Sequence, residues 1–320
     1  MTDLSKIAIS ESFNGRSGAL SSVPGFSACE NGTINKTGGY ADGTECGQTW
    51  IAEGDQGWGR WGFSLKDEAI KGLRSGDEIW FRVAMALQPD FDFKTHASKL
   101  KCFRIGRKVI GTDENRGYVD WYIHSGTRDW SSIVEFEGAG DWRTHEGGRV
   151  QPGKWQMYEV YCKLHPTNGL MRIWCDGKLL TGDPVRATIS SGSKAGEVDR
   201  LLFYTYWNHE SPQTQGLIFD DVAVAVKRPG RDDTPHLSRD AAGNKYIGMD
   251  TESGDGPVDP PVEPEIPPVE PPPVDPPVEP PVKPEPPTGP AGDSVAAMDV
   301  CENCVFVHTD LPVVVVPVDK

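Results

Sequence analysis

The 320-residue sequence lacks several things that would narrow its class at once. No run approaches the ~20 consecutive apolar residues that span a bilayer. The longest apolar segment, Leu311 to Val318, is interrupted by Pro312 and Pro317. Met1 to Lys6 has neither the basic start nor the apolar stretch of a secretory leader, so the expectation is a protein made without an export signal and not inserted in a membrane. Helix-period apolar patterns are scarce, and no βαβ rhythm is present. No basic field exists either. Of the 47 acids, 14 fall in residues 251–320 beside only Lys283 and Lys320, which leaves residues 1–250 near −3 and the remainder near −12. Nothing in that balance attracts nucleic acid, which is set aside as a partner.

Cysteine is sparse and odd in number. Cys29, Cys46, Cys102, Cys162 and Cys175 are scattered through the first 230 residues, as buried free thiols are, with Cys29 and Cys46 the pair to test for a bridge. Cys301 and Cys304, with His308, have zinc-like spacing, but a closed zinc site needs four ligands. Two thiols or a local disulfide are the plainer reading.

What is present is short alternation between turn residues, the signature of half-buried strands. In Ile79–Leu87, residues Ile79, Phe81, Val83, Met85 and Leu87 share one face, and Trp80, Arg82, Ala84 and Ala86 the other. Tyr118–His124 repeats the pattern, with Val119, Trp121 and Ile123 opposed to Tyr118, Asp120, Tyr122 and His124. In the next strand Val134 and Phe136 oppose Glu135 and Glu137. Further strands are expected at Trp155–Leu164, Leu170–Cys175, Arg200–Trp207 and Leu217–Val226, with a short turn or helix near Lys66–Leu73. Asp176-Gly177 between two apolar runs predicts a two-residue hairpin, because both turn positions need positive φ. The predicted class is all-β, an antiparallel sandwich whose two sheets each hide one face.

The chain divides into four parts: a β domain at 1–228, a connecting segment at 229–255, a proline-rich acidic stalk at 256–290 and an apolar tail at 291–320. The stalk holds 17 of the 27 prolines. Its Pro-Val-(Asp/Glu/Lys)-Pro repeat favours polyproline II, which at ~3.1 Å per residue reaches roughly 100 Å. In the tail, Val305–Val307 and Val313–Val316 are β-prone runs with no core of their own. The expectation is docking onto another protein's sheet edge, or assembly as a homo-oligomer.

Gly153-Lys154-Trp155-Gln156-Met157-Tyr158-Glu159-Val160, then Asn168-Gly169-Leu170-Met171-Arg172-Ile173-Trp174-Cys175-Asp176-Gly177-Lys178, resembles a stretch shared by concanavalin A-like jelly rolls, including polysaccharide lyases of the heparin- and alginate-lyase kind. Gly216-Leu217-Ile218-Phe219-Asp220-Asp221-Val222-Ala223-Val224 resembles their last strand, and Ser75–Arg82 an early strand of their concave sheet. The resemblance covers about residues 8–228. It implies a jelly roll with a glycan in the groove of the concave sheet. Arg82, Tyr118, Asp120, Tyr122, His124, Glu135, Tyr204 and Tyr206 are the groove residues it selects. Their chemistry suits sugars independently, since aromatic faces stack on rings while charged groups satisfy hydroxyls and carboxylates. If the groove is that of a lyase, Arg82 neutralises the uronate, and His124 and a tyrosine, Tyr206 or else Tyr204, move protons. The alginate-lyase pattern has Gln-x-His and Tyr-x-Lys strands; here they read Tyr122-x-His124 and Tyr204-x-Tyr206. Related jelly rolls also bridge their first and last strands with Ca²⁺, for which Glu11 and Asp221 are the candidates. Trp207–Glu210 is a candidate rim loop.

A glycan-binding domain on a stalk, with a docking tail and no leader, predicts a non-catalytic structural or adhesin protein of a phage particle, reaching the outside by host lysis. The alternative is a polysaccharide lyase acting on an acidic glycan by β-elimination.

Overall fold

The computed structural model describes residues 7–248, except 41–43, 58–59, 96–97, 137–138, 181–184, 205, 208 and 232–236. The stalk, the tail, Cys301, Cys304 and His308 lie outside the described residues. Among those described, the chain is an antiparallel two-sheet sandwich, as the alternation predicts, and no helix is long and apolar enough to cross a membrane.

The first sheet is built on β6 (Glu78–Leu87). On one side β6 pairs with β11 (Gln156–Lys163), followed by β12 (Leu170–Cys175) and β13 (Lys178–Leu179). On the other it pairs with β15 (Gln215–Lys227), followed by β4 (Cys46–Ile51) and β3 (Thr33–Asn35), with β1 (Ile9–Glu11) also on β15. The second sheet runs β10 (Ala139–His145), β9 (Trp130–Phe136), β8 (Asn115–His124), β7 (Lys99–Val109), β14 (Gly196–Phe203), β5 (Phe63–Leu65) and β2 (Phe26–Ser27).

The inward faces are those the pattern assigns. Ile79, Phe81, Val83, Met85 and Leu87 meet Val119, Trp121 and Ile123 in one core. Phe63 sits within a ring cluster, its centroid 4.8 Å from Phe26, 4.9 Å from Phe219 and 5.1 Å from Phe203. Offset and tilted aromatic pairs add to the apolar burial that holds the sheets together. The hairpin at Asp176-Gly177 is present with φ of 48° and 74°. Residues 66–73 form a turn, with Ile70 N–H on Asp67 O. All five cysteines of the domain are free and buried.

The outward face of the first sheet differs from expectation. Trp80, Arg82 and Ala84 are buried, because the chain after β15 returns across this face. Within the segment expected only to connect, β16 (Ser238–Arg239) and β17 (Lys245–Tyr246) form a small ladder, and Ile247 enters a second core with Trp80, Tyr161, Trp174, Ala223 and Ala225. Trp80 Nε1 donates to Lys245 O at 3.0 Å, and Trp174 Nε1 to the Asp240 carboxylate at 2.9 Å. Beneath this strap, Arg82 pairs across the strands with Glu159 and donates to Gly248 O. Glu159 accepts the N–H groups of Ile247 and Gly248 at 2.6 and 3.1 Å. Every polar atom the strap buries therefore meets a partner suited to it.

Burial pushes the Glu159 carboxyl up to about 7, against the pull of those two N–H groups and Arg82. The folded state then holds the Glu159 proton at pH values where the unfolded chain, with the ordinary 4.5, has released it. Stability falls as pH rises from 4.5 to 7, by up to about 3 kcal/mol from this group. Urea denaturation at pH 5 and pH 8 checks it: the wild type is less stable at pH 8, and Glu159→Gln narrows that gap.

Candidate functional site

With the first sheet covered, the outward face of β7–β10 carries the chemistry. On β8, Tyr118, Asp120, Tyr122 and His124 point outward together, as the alternation predicts, with Glu135 beside Tyr118 on β9. The strand that completes the face is β7, whose register explains why three cations reach it. Lys99 and Lys101 share a face by simple alternation, and residue 103 would follow them. A β-bulge between Lys101 and Phe103 inserts Cys102, so Phe103 turns into the core and Arg104 takes the outward place. One extra residue thus shifts every later side chain to the opposite face. With the alternation regular again after Phe103, Arg107 points inward, where its guanidinium donates to Tyr118 O and Glu135 O at 3.0 and 2.9 Å and pins β8 to β9 from below. Burial lowers Arg107 to about 10.

Asp120 and Arg104 are directly opposite in the ladder and make a two-point pair, Nε–Oδ1 2.8 Å and Nη2–Oδ2 2.6 Å. Asp120 is fully buried. Burial pushes its carboxyl up, while Arg104 and the Tyr122 hydroxyl, which donates to it, pull it down. Desolvation opposes the Arg104 charge, but Asp120 outweighs it and holds the guanidinium above its ordinary value. A matched fork on a carboxylate is the geometry in which such a pair is strongest.

Around this pair the cations lie against rings. Arg104 sits 3.6 Å over Tyr118, Lys101 Nζ 4.1 Å over Tyr206, and Lys99 Nζ 4.4 Å over Trp142 of β10. Trp142 also meets Tyr122 edge-on at 4.9 Å. Each contact aims a positive charge at the negative face of a ring. Lys101 is lowered to about 8, by burial first and by the Arg104 charge second, against Asp120 and Glu135. Burial and a hydrogen bond to Glu135 raise the Tyr118 phenol. His124 stands opposite Lys99, its Nδ1 accepting the Gly126 N–H at 3.3 Å.

Three expected site residues are elsewhere. Arg82 belongs to the first sheet, fully buried beneath Gly248, and cannot meet a ligand beside His124. Tyr204 was expected beside Tyr206, but β14 ends at Phe203 and Tyr204 has φ +49°, so its ring turns into the core, 4.9 Å from Trp61. Tyr206 alone reaches the face. Glu11, expected with Asp221 at a Ca²⁺, is engaged in an ion pair. Arg16 grips both its oxygens at 2.8 and 2.6 Å, while the Asp221 carbonyl accepts from Arg82. Among the described residues no three His, Cys, Asp or Glu side chains gather as a metal site. In the rim loop Trp207 is buried and His209 and Glu210 are exposed.

Lys99, Lys101, Arg104 and Trp142 are functional candidates that sequence reading did not select. Lys99-Leu100-Lys101 carries the alternation signal, but the bulge at Cys102 breaks the period immediately afterwards.

No family model matches the chain, and no curated protein sequence matches it. Solved structures do. The marine PL-14 alginate lyase from Aplysia kurodai superposes with a TM-score of 0.52 at 10% identity, over 69% of this chain and 99% of that one. The endo-β-1,4-glucuronan lyase of the fungus Trichoderma reesei gives 0.47 at 14% identity, over 68% and 94%. The alginate lyase Aly36B gives 0.49 at 17%, over 68% and 95%. The described domain thus shares the two-sheet jelly-roll fold of the Aplysia alginate lyase.

Removing one side of the Arg104–Asp120 pair strands the other. Asp120→Ala should cost about 3–5 kcal/mol of stability, whereas Arg149→Ala, at the solvent-exposed end of the Arg149–Asp129 pair, should cost far less. Chemical denaturation of both variants checks the contrast.

Proposed function

We propose that the outward face of β7–β10 binds an acidic polysaccharide and cleaves it by β-elimination. The observation that carries this is Lys101, lowered to about 8 on a partly exposed face, with the Tyr206 ring 4.1 Å from its ammonium and Lys99 and Arg104 on the same strand face. Burial that lowers a lysine makes it a proton acceptor near neutral pH, which an ordinary lysine is not. The likeness of the fold to a solved alginate lyase agrees with the reading.

In this scheme neutral Lys101 removes the proton on the carbon next to the uronate carboxylate. The freed electron pair forms a carbon–carbon double bond as the glycosidic C–O bond breaks, and the departing oxygen takes a proton from the Tyr206 phenol. Lys101 ends protonated and Tyr206 ends as phenolate, and a proton passed between them through solvent restores both. The carboxylate gains negative charge in the transition state, where the Lys99 and Arg104 cations stabilise it. Trp142 and Tyr118 offer ring faces on which sugars stack. His124, next to Lys99, keeps a place on the same face as a hydroxyl or carboxylate donor.

The particle-borne, non-catalytic reading uses the same binding face without the chemistry, with residues 291–320 as the docking element. Its support is the organisation of the sequence, and its test is loss of particle incorporation when those residues are deleted.

Absorbance of the unsaturated product, with alginate, glucuronan and a heparin-type polymer as substrates, tests the lyase. Turnover should rise with pH through about 8 as Lys101 loses its proton. Lys101→Met and Tyr206→Phe should each lower it about 10²-fold or more while the chain stays folded. Binding without turnover of any of the three would transfer the case to the non-catalytic reading.

A further inference from the structure

A second cationic site lies away from the β7–β10 face, where the loop before β6 meets the chain leaving β15. A cavity of about 300 Å³ is lined there by Arg74, Ser75, Asp77, Arg228, Pro229 and Arg231. The two loops are fixed in place. Arg74 N–H donates to the Asp77 carboxylate at 2.8 Å, Asp77 N–H returns to Arg74 O at 2.9 Å, and Gly76 N–H donates to Leu164 O at 2.7 Å. Opposite, Arg228 Nη2 donates to Ala69 O at 2.7 Å, and Arg231 N–H to Arg228 O at 3.2 Å. A Cβ on Gly76 would lie 3.4 Å from Pro229 Cγ, so the loops touch.

The charge in this cavity is unbalanced. Among the described residues Asp77 is the single acid lining it; it is buried and spends an oxygen on a backbone N–H. Burial raises its carboxyl, against the fields of Arg228, Arg74 and Arg231, which all reach it. Three permanently charged guanidiniums therefore face at most one carboxylate. Among the described residues none of the three has a carboxylate partner within ion-pair distance. Like charges held together by a fixed backbone repel, and an anion is what relieves them. Guanidinium forks fit the oxygens of a tetrahedral anion two at a time.

We infer that this cavity is a binding site for a tetrahedral oxyanion, a sulfate or phosphate group, either free or carried as an ester on a glycan. The site stands independently of the lyase reading, because it shares no residue with the β7–β10 face. Ser75 adds a hydroxyl donor at its rim.

The test uses the full chain labelled with ¹⁵N-arginine, titrated at constant ionic strength with inorganic sulfate, inorganic phosphate and glucose 6-sulfate while the Arg Nε–H signals are followed. Saturable shifts of Arg74, Arg228 and Arg231 are expected, at least tenfold weaker in Arg74→Ala/Arg231→Ala and unchanged in Lys101→Met. Both replaced arginines are exposed, and a thermal melt confirms that the double variant folds. Saturation by the inorganic ions alone assigns a free-anion site; saturation by the ester as well assigns a site for a sulfated or phosphorylated glycan. Non-saturating shifts with all three anions, or binding that survives the double substitution, would overturn the proposal.

Discussion

The outward face of the second sheet depends on the two-point pair between Arg104 and Asp120. A fully buried carboxylate on a sheet face is costly unless a cation meets it in good geometry, and here the fork supplies two short hydrogen bonds. The pair fixes more than itself. It lays the guanidinium over Tyr118, takes the Tyr122 hydroxyl as a further donor, and sets a positive charge beside Lys101. The lowered Lys101, on which the proposed chemistry turns, is a consequence of that arrangement together with burial. The arrangement itself rests on one inserted residue, Cys102, without which Arg104 would point into the core.

The two sheets have been given different fates. On the first, a strap through residues 237–248 covers Trp80, Arg82 and Trp174 and satisfies their polar atoms. On the second, cations and rings are left half exposed, each charge matched to an aromatic face. A sandwich needs only one face of each sheet for its core, so the other two are free to diverge. One lies under the strap, and the other keeps its cations and rings at the surface.

Much of this was legible in the sequence, and the reasons for the exceptions are specific. Alternation in Ile79–Leu87 and Tyr118–His124 identified which side chains face the core, because strand periodicity survives wherever the strand is regular. The same rule could say only that Arg82 is on the far side from Phe81, not that Gly248, 166 positions later, would help bury it. Tyr204 was misplaced because its positive φ breaks the period two residues before Tyr206. The β7 cations were passed over because the bulge at Cys102 puts Lys99 and Lys101 out of phase with Arg104 and leaves too short a regular run to recognise. The Arg16–Glu11 ion pair, five residues apart in the chain, was likewise not a feature that alternation could show. Bulges, left-handed residues and long-range covering segments are the features that a periodic reading does not contain.

The central claim is that the fold holds Lys101 as a proton acceptor near neutral pH. Heteronuclear NMR on ¹³C,¹⁵N-lysine-labelled protein, following Lys101 Nζ through a pH titration, measures it directly. A midpoint near 8 for Lys101 is what the account predicts. A Lys101 midpoint at or above the ordinary 10.5 would contradict it.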